Sequence, residues 1–302
     1  MASKQAEALK DLYRGWVVAM NANPTMGLDE IRDIFEHWGD VTVEPGGVDY
    51  IEVDAGGVPS MWAVPKGCRE DRVLICTHGG GYVTGSMYTH RKMFGHMAKA
   101  IGCRALILHY RRAPEHTHPA QCEDGVAAYK WLLDQGIKPG HIATTGDSAG
   151  GGLCTSLVLG ARAKGLPLPA AVMPLSPWYD MEGKGASLKT NAAADVLVQE
   201  AILMNMAATF LGNASKQDPL ANPLYADLAG FPPTFIQVGG EETLLDDSVR
   251  FAEQAKAAGV DVKCGIYPEM QHVFHFLAGR APEADAAIAE LAAWVKPKLG
   301  LA

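Results

Sequence analysis

From about residue 72 to residue 268 the chain alternates between short apolar runs and longer stretches of helical periodicity. The runs are RVLICTH (72–78), CRALILHY (103–110), HIATTGD (141–147), AAVMPLSP (170–177), TFIQVGG (234–240) and VKCGIYP (262–268). Nearly continuous apolar segments of this length predict strands covered on both faces. Between and after them the spacing predicts helices near 88–101, 120–136, 149–164, 247–259 and 283–298, the last with Ile288, Leu291 and Trp294/Val295 on one face. Strand and helix in alternation imply a mostly parallel sheet with helices on both sides.

Three segments depart from that rhythm. Two amphipathic helices are expected near 5–21 and 28–38, and VDYIEVDAGGVPSMWAVP reads as antiparallel strands joined by a Gly-Gly turn. That brings the sheet to about eight strands. The segment 183–215 places helix after helix with no strand between, as an insertion above the sheet edge would. Its apolar stripe, Val196, Leu197, Ile202, Leu203 and Met206, is expected both to pack as core and to line a pocket.

Composition narrows the function classes. With 302 residues, 48% hydrophobic and 20% charged, the chain can bury a sizeable core, in one α/β domain or two. A net charge of −8, with no basic cluster longer than Arg111-Arg112, argues against nucleic acid. The N-terminal stretch lacks an apolar run suited to a signal peptide or a membrane span. Cys68, Cys76, Cys103, Cys122, Cys154 and Cys264 are far apart with no CxxC pair, and read as reduced thiols of a cytoplasmic protein. His116 and His118 resemble half a metal-ligand set, but no HxHxDH or HExxH continues it, so no metal is expected.

Chemistry gathers at the ends of the expected strands. TGDSAGGG (145–152) holds a G-x-S-x-G between an apolar strand and a helix, the context in which a strained turn lifts the Ser148 hydroxyl above a sheet edge. THGGGYVTG (77–85) follows another strand. There Gly80 and Gly81, with Ala149 after the serine, can aim backbone N–H groups at a developing oxyanion. YPEMQHVFHF (267–276) offers His272 as base, first after its strand, with His275 in reserve and expected near the mouth of the site. Between serine and histidine lies VGGEETLLDDS (238–248). Glu241 and Glu242 sit on its loop, while Asp246 and Asp247 open the next helix, where capping is the alternative role. The order serine, acid, histidine is that of α/β-hydrolases.

HGGG, YRRAPEHTHPA (110–120), GDSAGGG, LSPW (175–178), DPLANPL (218–224) and the QHVF histidine together resemble the hormone-sensitive lipase family of bacterial esterases, over residues 42–298. The resemblance implies an α/β-hydrolase fold with a helical cap. Its catalytic domain would comprise 41–182 and 216–302, with cap pieces from 1–40 and 183–215. The family's acid lies in an Asp-Pro-Leu-x-Asp run, matched here by Glu242-Thr243-Leu244-Leu245-Asp246, so Glu242 becomes the expected acid. The extra methylene moves the carboxylate by roughly 1.5 Å, which the loop or the histidine must absorb.

Further implications concern the rest of the site and its substrate. Arg112 is expected to pair with Glu115, and Tyr82, Trp178, Leu203 and Met206 are expected to contact substrate. The implied activity is hydrolysis of short- to medium-chain carboxylic esters through an acyl-enzyme, without a cofactor. Lactone hydrolysis is the alternative within the same chemistry, and small-molecule binding without catalysis is the alternative outside it. Homodimers through an exposed sheet edge occur in the family, and the same pairing is open to this chain.

Overall fold

The computed structural model describes residues 2–302. Among them a single eight-stranded sheet runs in the order β1-β2-β4-β3-β5-β6-β7-β8. The strands are β1 (Val48–Asp54), β2 (Pro59–Pro65), β3 (Arg69–Thr77), β4 (Cys103–Leu108), β5 (Ile142–Asp147), β6 (Ala171–Leu175), β7 (Thr234–Gly239) and β8 (Val262–Tyr267). β1 and β2 form the expected antiparallel pair, with Asp54 opposite Pro59 across the Gly-Gly turn. β2 pairs antiparallel with β4, and every later pairing is parallel.

Alternation along the central strands explains the two cores. Leu74 and Cys76 of β3, with Ala105 and Ile107 of β4, face α3 (Met87–Ile101) and α9 (Pro282–Val295). Val73 and Ile75, with Leu106 and Leu108, face α4 (Ala120–Asp134), α5 (Ala149–Ala163) and α8 (Leu245–Ala257). Each fully buried Leu or Ile contributes roughly 1.5–3 kcal/mol by leaving water.

The N-terminal helices α1 (Glu7–Ala22) and α2 (Leu28–Glu36) agree with the periodicity. The insertion does so only in part. It holds one helical turn, α6 (Ser187–Thr190), then irregular chain, then α7 (Glu200–Leu211). The irregular stretch spends its polar groups on the sheet-edge loops instead: Asn191 Nδ2 donates to Glu242 O at 2.8 Å, and Asp195 receives the N–H of Thr243 at 2.9 Å. All six cysteines are free, and among the described residues no helix is long and apolar enough to cross a membrane.

Candidate active site

The parallel strands point their C-terminal ends to one edge, where an α/β sheet ordinarily receives its ligand. The turns after β3, β5, β6, β7 and β8 carry His78–Gly81, Ser148, Ser176–Trp178, Glu242 and His272 respectively. Residues distant in sequence are thereby brought onto neighbouring loops.

Ser148 sits between β5 and α5 with φ 53° and ψ −122°, a left-handed conformation unusual for a side-chain-bearing residue. The surroundings hold it there. Its N–H donates to Leu175 O at 2.9 Å, and its carbonyl accepts from Trp178 N at 2.9 Å and Gly152 N at 3.0 Å. Gly150 is required by close approach, because a Cβ there would lie 2.0 Å from Thr77 O. Ala149 is the first residue of α5, so its N–H has no partner in the helix ladder.

The Gly80–Gly81 loop lies beside the serine. Gly80 has φ 104°, and its carbonyl is drawn back into the loop by Thr84 N at 2.8 Å and Val83 N at 3.0 Å. Both glycines, with Ser148 and His272, line a cavity of about 590 Å³. Leu28, Ile31 and Phe35 of the N-terminal segment and Leu197, Ile202, Leu203 and Met206 of the insertion wall the same space. Among the described lining residues none is Asp, Glu, Lys or Arg; Asn23, Gln199, Asn205 and Thr209 are the polar exceptions apart from Ser148 and His272.

His272 is buried and its Nδ1 lies 2.7 Å from Glu242 Oε2. The other carboxylate oxygen accepts from Ser176 Oγ at 2.6 Å and Gly239 N at 2.5 Å. The longer side chain is thus accommodated by reaching back to the N–H at the end of its own strand. Burial pushes the imidazole down, but the Glu242 charge, aided by Asp195 and Asp147, outweighs it and holds His272 above the ordinary histidine value. Ser148 and His272 share one cavity wall without a formed hydrogen bond between them. Such contacts commonly tighten only with substrate bound.

The other three carboxylates of the 238–248 stretch are engaged elsewhere. Glu241 pairs with Lys10 at 3.0 Å and accepts from Gln271 Nε2 at 2.6 Å. Asp246 caps the Ser187 N–H at 3.0 Å. Asp247 accepts the N–H groups of Tyr179 and Asp180 at 2.7 and 2.8 Å, and burial pushes it up to about 7 despite them.

Several expectations need correction. Tyr82 does not line the cavity: its backbone is left-handed at φ 63°, and its ring stacks on Phe210 with centroids 3.8 Å apart. Val196 likewise packs on the core rather than the cavity. His275 is not at the mouth. It is fully buried with Nε2 2.9 Å from Gln237 Oε1, and burial lowers it to about 3. Glu115 pairs with Arg32 of α2 at 2.6 Å rather than with Arg112, whose guanidinium donates to Gly85 O at 2.8 Å. His118, half of the His-x-His pattern, lies 3.1 Å from Asp218 through Nε2. Trp178, Leu203 and Met206 do line the cavity.

Residues that sequence reasoning missed surround the histidine. Ser176 bridges Glu242 and Val273 N, the latter at 3.1 Å. Tyr13 of α1 donates its hydroxyl to His272 O at 2.9 Å and accepts from Trp38 Nε1 at 3.2 Å. Asp147, next to the serine, lies 3.1 Å from His90 Nε2 and accepts from Gly79 N at 3.2 Å. The serine of LSPW, standing at a strand end, was the one legible signal among them.

Comparison with known proteins agrees with this architecture. Residues 74–276 match the family model described as alpha/beta hydrolase fold. An acetyl-hydrolase of Streptomyces hygroscopicus is 39% identical, over 99% of each chain. The crystal structure of an esterase from the bacterial hormone-sensitive lipase family is 43% identical, with a TM-score of 0.95, covering 99% of this chain and all of the other. The structure of EstE5 soaked with p-nitrophenyl butyrate is 40% identical, with a TM-score of 0.92 over 99% of this chain and all of that one. The chain belongs to the α/β-hydrolase fold family and, within it, to the bacterial esterases of the hormone-sensitive lipase family.

Proposed function

We propose that the chain hydrolyses short- to medium-chain, uncharged carboxylic esters through a Ser148 acyl-enzyme. The observation that carries this reading is the buried 2.7 Å Glu242–His272 pair, with His272 and Ser148 on the wall of one cavity free of charged side chains. Glu242 holds Nδ1–H, so Nε2 takes the Ser148 proton as Oγ attacks the ester carbonyl. The negative oxygen of the tetrahedral species is received by the N–H groups of Gly80, Gly81 and Ala149. His272 then gives its proton to the leaving alkoxide, and a water activated by the same nitrogen releases the acid.

The substrate class follows from the walls. A charged ester would lose hydration in this cavity without a counter-charge, at a cost of several kcal/mol. Helices α1 and α2 with residues 183–215 act as the cap that closes the space over the ester. Trp178, Leu203 and Met206 contact the substrate; Tyr82 supports Phe210 from behind. EstE5, 40% identical, has been soaked with a butyryl ester, which fits the proposed size range.

The test is hydrolysis of nitrophenyl esters from acetyl to palmitoyl by wild type and Ser148→Ala. Rates peaking between butyryl and octanoyl and lost in the variant are expected. Serine-independent hydrolysis would overturn the mechanism, and a peak at palmitoyl would overturn the size range.

A further inference from the structure

The buried carboxylate of Asp195 lies on the irregular stretch between α6 and α7, and it joins two parts of the site that are 48 residues apart in sequence. It is 2% exposed, and both oxygens are engaged. Oδ2 accepts from Thr243 N at 2.9 Å and lies 3.0 Å from Thr243 Oγ1. Oδ1 accepts from Leu197 N at 3.0 Å and Val198 N at 2.8 Å. Thr243 directly follows Glu242, whereas Leu197 and Val198 form cavity wall.

The Thr243 hydroxyl, with one proton to donate, lies 3.0 Å from both Asp195 Oδ2 and Val198 O. One threonine therefore contacts both ends of the Asp195–Val198 turn. Asn191 and Gln271 reinforce the junction. Asn191 Nδ2 donates to Glu242 O at 2.8 Å, and Gln271 takes Val196 N at 3.0 Å through Oε1. Nothing comparable is available to a proline at position 243, which has no N–H and no hydroxyl.

We propose that Asp195 is a positioning residue for the reaction: it holds the Glu242 loop through Thr243 and, with its other oxygen, sets the Leu197–Val198 wall. The inference rests on the serine-esterase reading, in which Glu242 orients His272. Substrate seated against that wall presses on the same carboxylate that holds the acid loop. Binding and orientation of the base are thereby coupled. A displacement of the order of 1 Å in such a support can cost about 100-fold in rate.

The experiment compares wild type with Asp195→Asn, Thr243→Ser, Thr243→Val and Thr243→Pro on a butyryl nitrophenyl ester. Asp195→Asn is expected to lower kcat about 10- to 100-fold. Thr243→Pro is expected to match it, Thr243→Val to lose several-fold, and Thr243→Ser to retain wild-type kcat. The acid limb of kcat/KM supplies a readout that loss of stability alone does not move. Asp195 is among the charges that hold His272 up, so removing its charge is expected to shift that limb to lower pH. An unshifted limb with near-wild-type kcat in folded Asp195→Asn overturns the proposal. Glu242→Gln, run alongside, keeps the two questions separate. If it retains full activity, the orienting role of Glu242 fails first; if it is crippled while Asp195→Asn is not, only the clamp fails.

Discussion

Two buried histidine–carboxylate pairs flank the Ser148 turn, and they differ in what the second ring nitrogen does. His272 lies 2.7 Å from Glu242 through Nδ1 and lines the cavity, so Nε2 is the nitrogen left for chemistry. His90 lies 3.1 Å from Asp147 through Nε2, while its Nδ1 lies 2.6 Å from Thr89 Oγ1 in the same helix. Both rings are buried, and both carboxylates stand at strand ends or just beyond. A histidine with one nitrogen unspent can carry a proton between partners. One with both nitrogens engaged can only hold its neighbours in place. The second pair braces the loop: Gly79 N, next to the proposed oxyanion donor Gly80, lies 3.2 Å from both His90 Nε2 and Asp147 Oδ1.

The sharpest way to break the comparison is to remove the function of each pair in turn. Glu242→Gln is expected to lower kcat by about 10⁴, the scale on which loss of the orienting acid acts in a triad. It should also move the acid limb of kcat/KM. Burial lowers His272, and the Glu242 charge more than offsets this. Without that charge the ring titrates lower, and the surviving activity extends to more acidic pH. Stability runs with the same group. A raised histidine stabilises the native state below its unfolded value and ceases to do so as pH rises through the folded one. A pH–rate series on wild type and variant reads this directly; a limb that stays in place would deny Glu242 its electrostatic role.

His90→Leu should act chiefly on stability. It takes the His90 contact from the buried Asp147 and leaves Gly79 N as its remaining partner, a loss that typically costs about 1–3 kcal/mol. Denaturant unfolding measures it, and the residual kcat at saturating substrate should fall only about 10- to 100-fold, through displacement of the Gly79–Gly81 loop. A kcat loss equal to that of Glu242→Gln, with unfolding unchanged, would make His90 part of the proton chemistry and erase the distinction between the pairs.

How much of this was legible depended on how local the physics is. The strand ends, the strained turn at Ser148 and the glycines after β3 are set by backbone geometry within a few residues, and the sequence pattern located them. Fold class followed in the same way from the alternation of apolar runs and helical periods. Choosing among four neighbouring carboxylates required family resemblance, because capping and orienting roles differ only in what lies across the sheet edge. The pair His90–Asp147 spans 57 residues and Tyr13–His272 spans 259, and no periodicity relates such positions. Tyr82 misled for a physical reason. Its sequence neighbour Gly81 lines the cavity, but the left-handed backbone at Tyr82 turns the ring onto Phe210. Arg112 and Glu115 misled because Arg32, from a separate N-terminal helix, takes the carboxylate first.

A third buried histidine sharpens the contrast at the smallest scale. His275 has Nε2 2.9 Å from Gln237 Oε1 and, among the described residues, no carboxylate beside it and no partner for Nδ1. Burial lowers it to about 3, with the neighbouring His272 adding to the effect. It therefore stays neutral in the folded protein across the working range, and kcat of His275→Leu should equal wild type within about twofold. Stability is where it shows. Leucine leaves Gln237 Oε1 without this donor, costing roughly 1–3 kcal/mol at pH 7.5. The unfolded chain protonates His275 below about 6.5 while the folded chain does not, so wild type loses stability at this site as pH falls from there toward 3. The variant has no such group. The gap between them should narrow by on the order of 1–2 kcal/mol between pH 7.5 and pH 5. Urea unfolding at the two pH values decides the matter: a gap that stays constant would mean His275 is charged when folded, and the absence of a carboxylate would then no longer separate it from the other two.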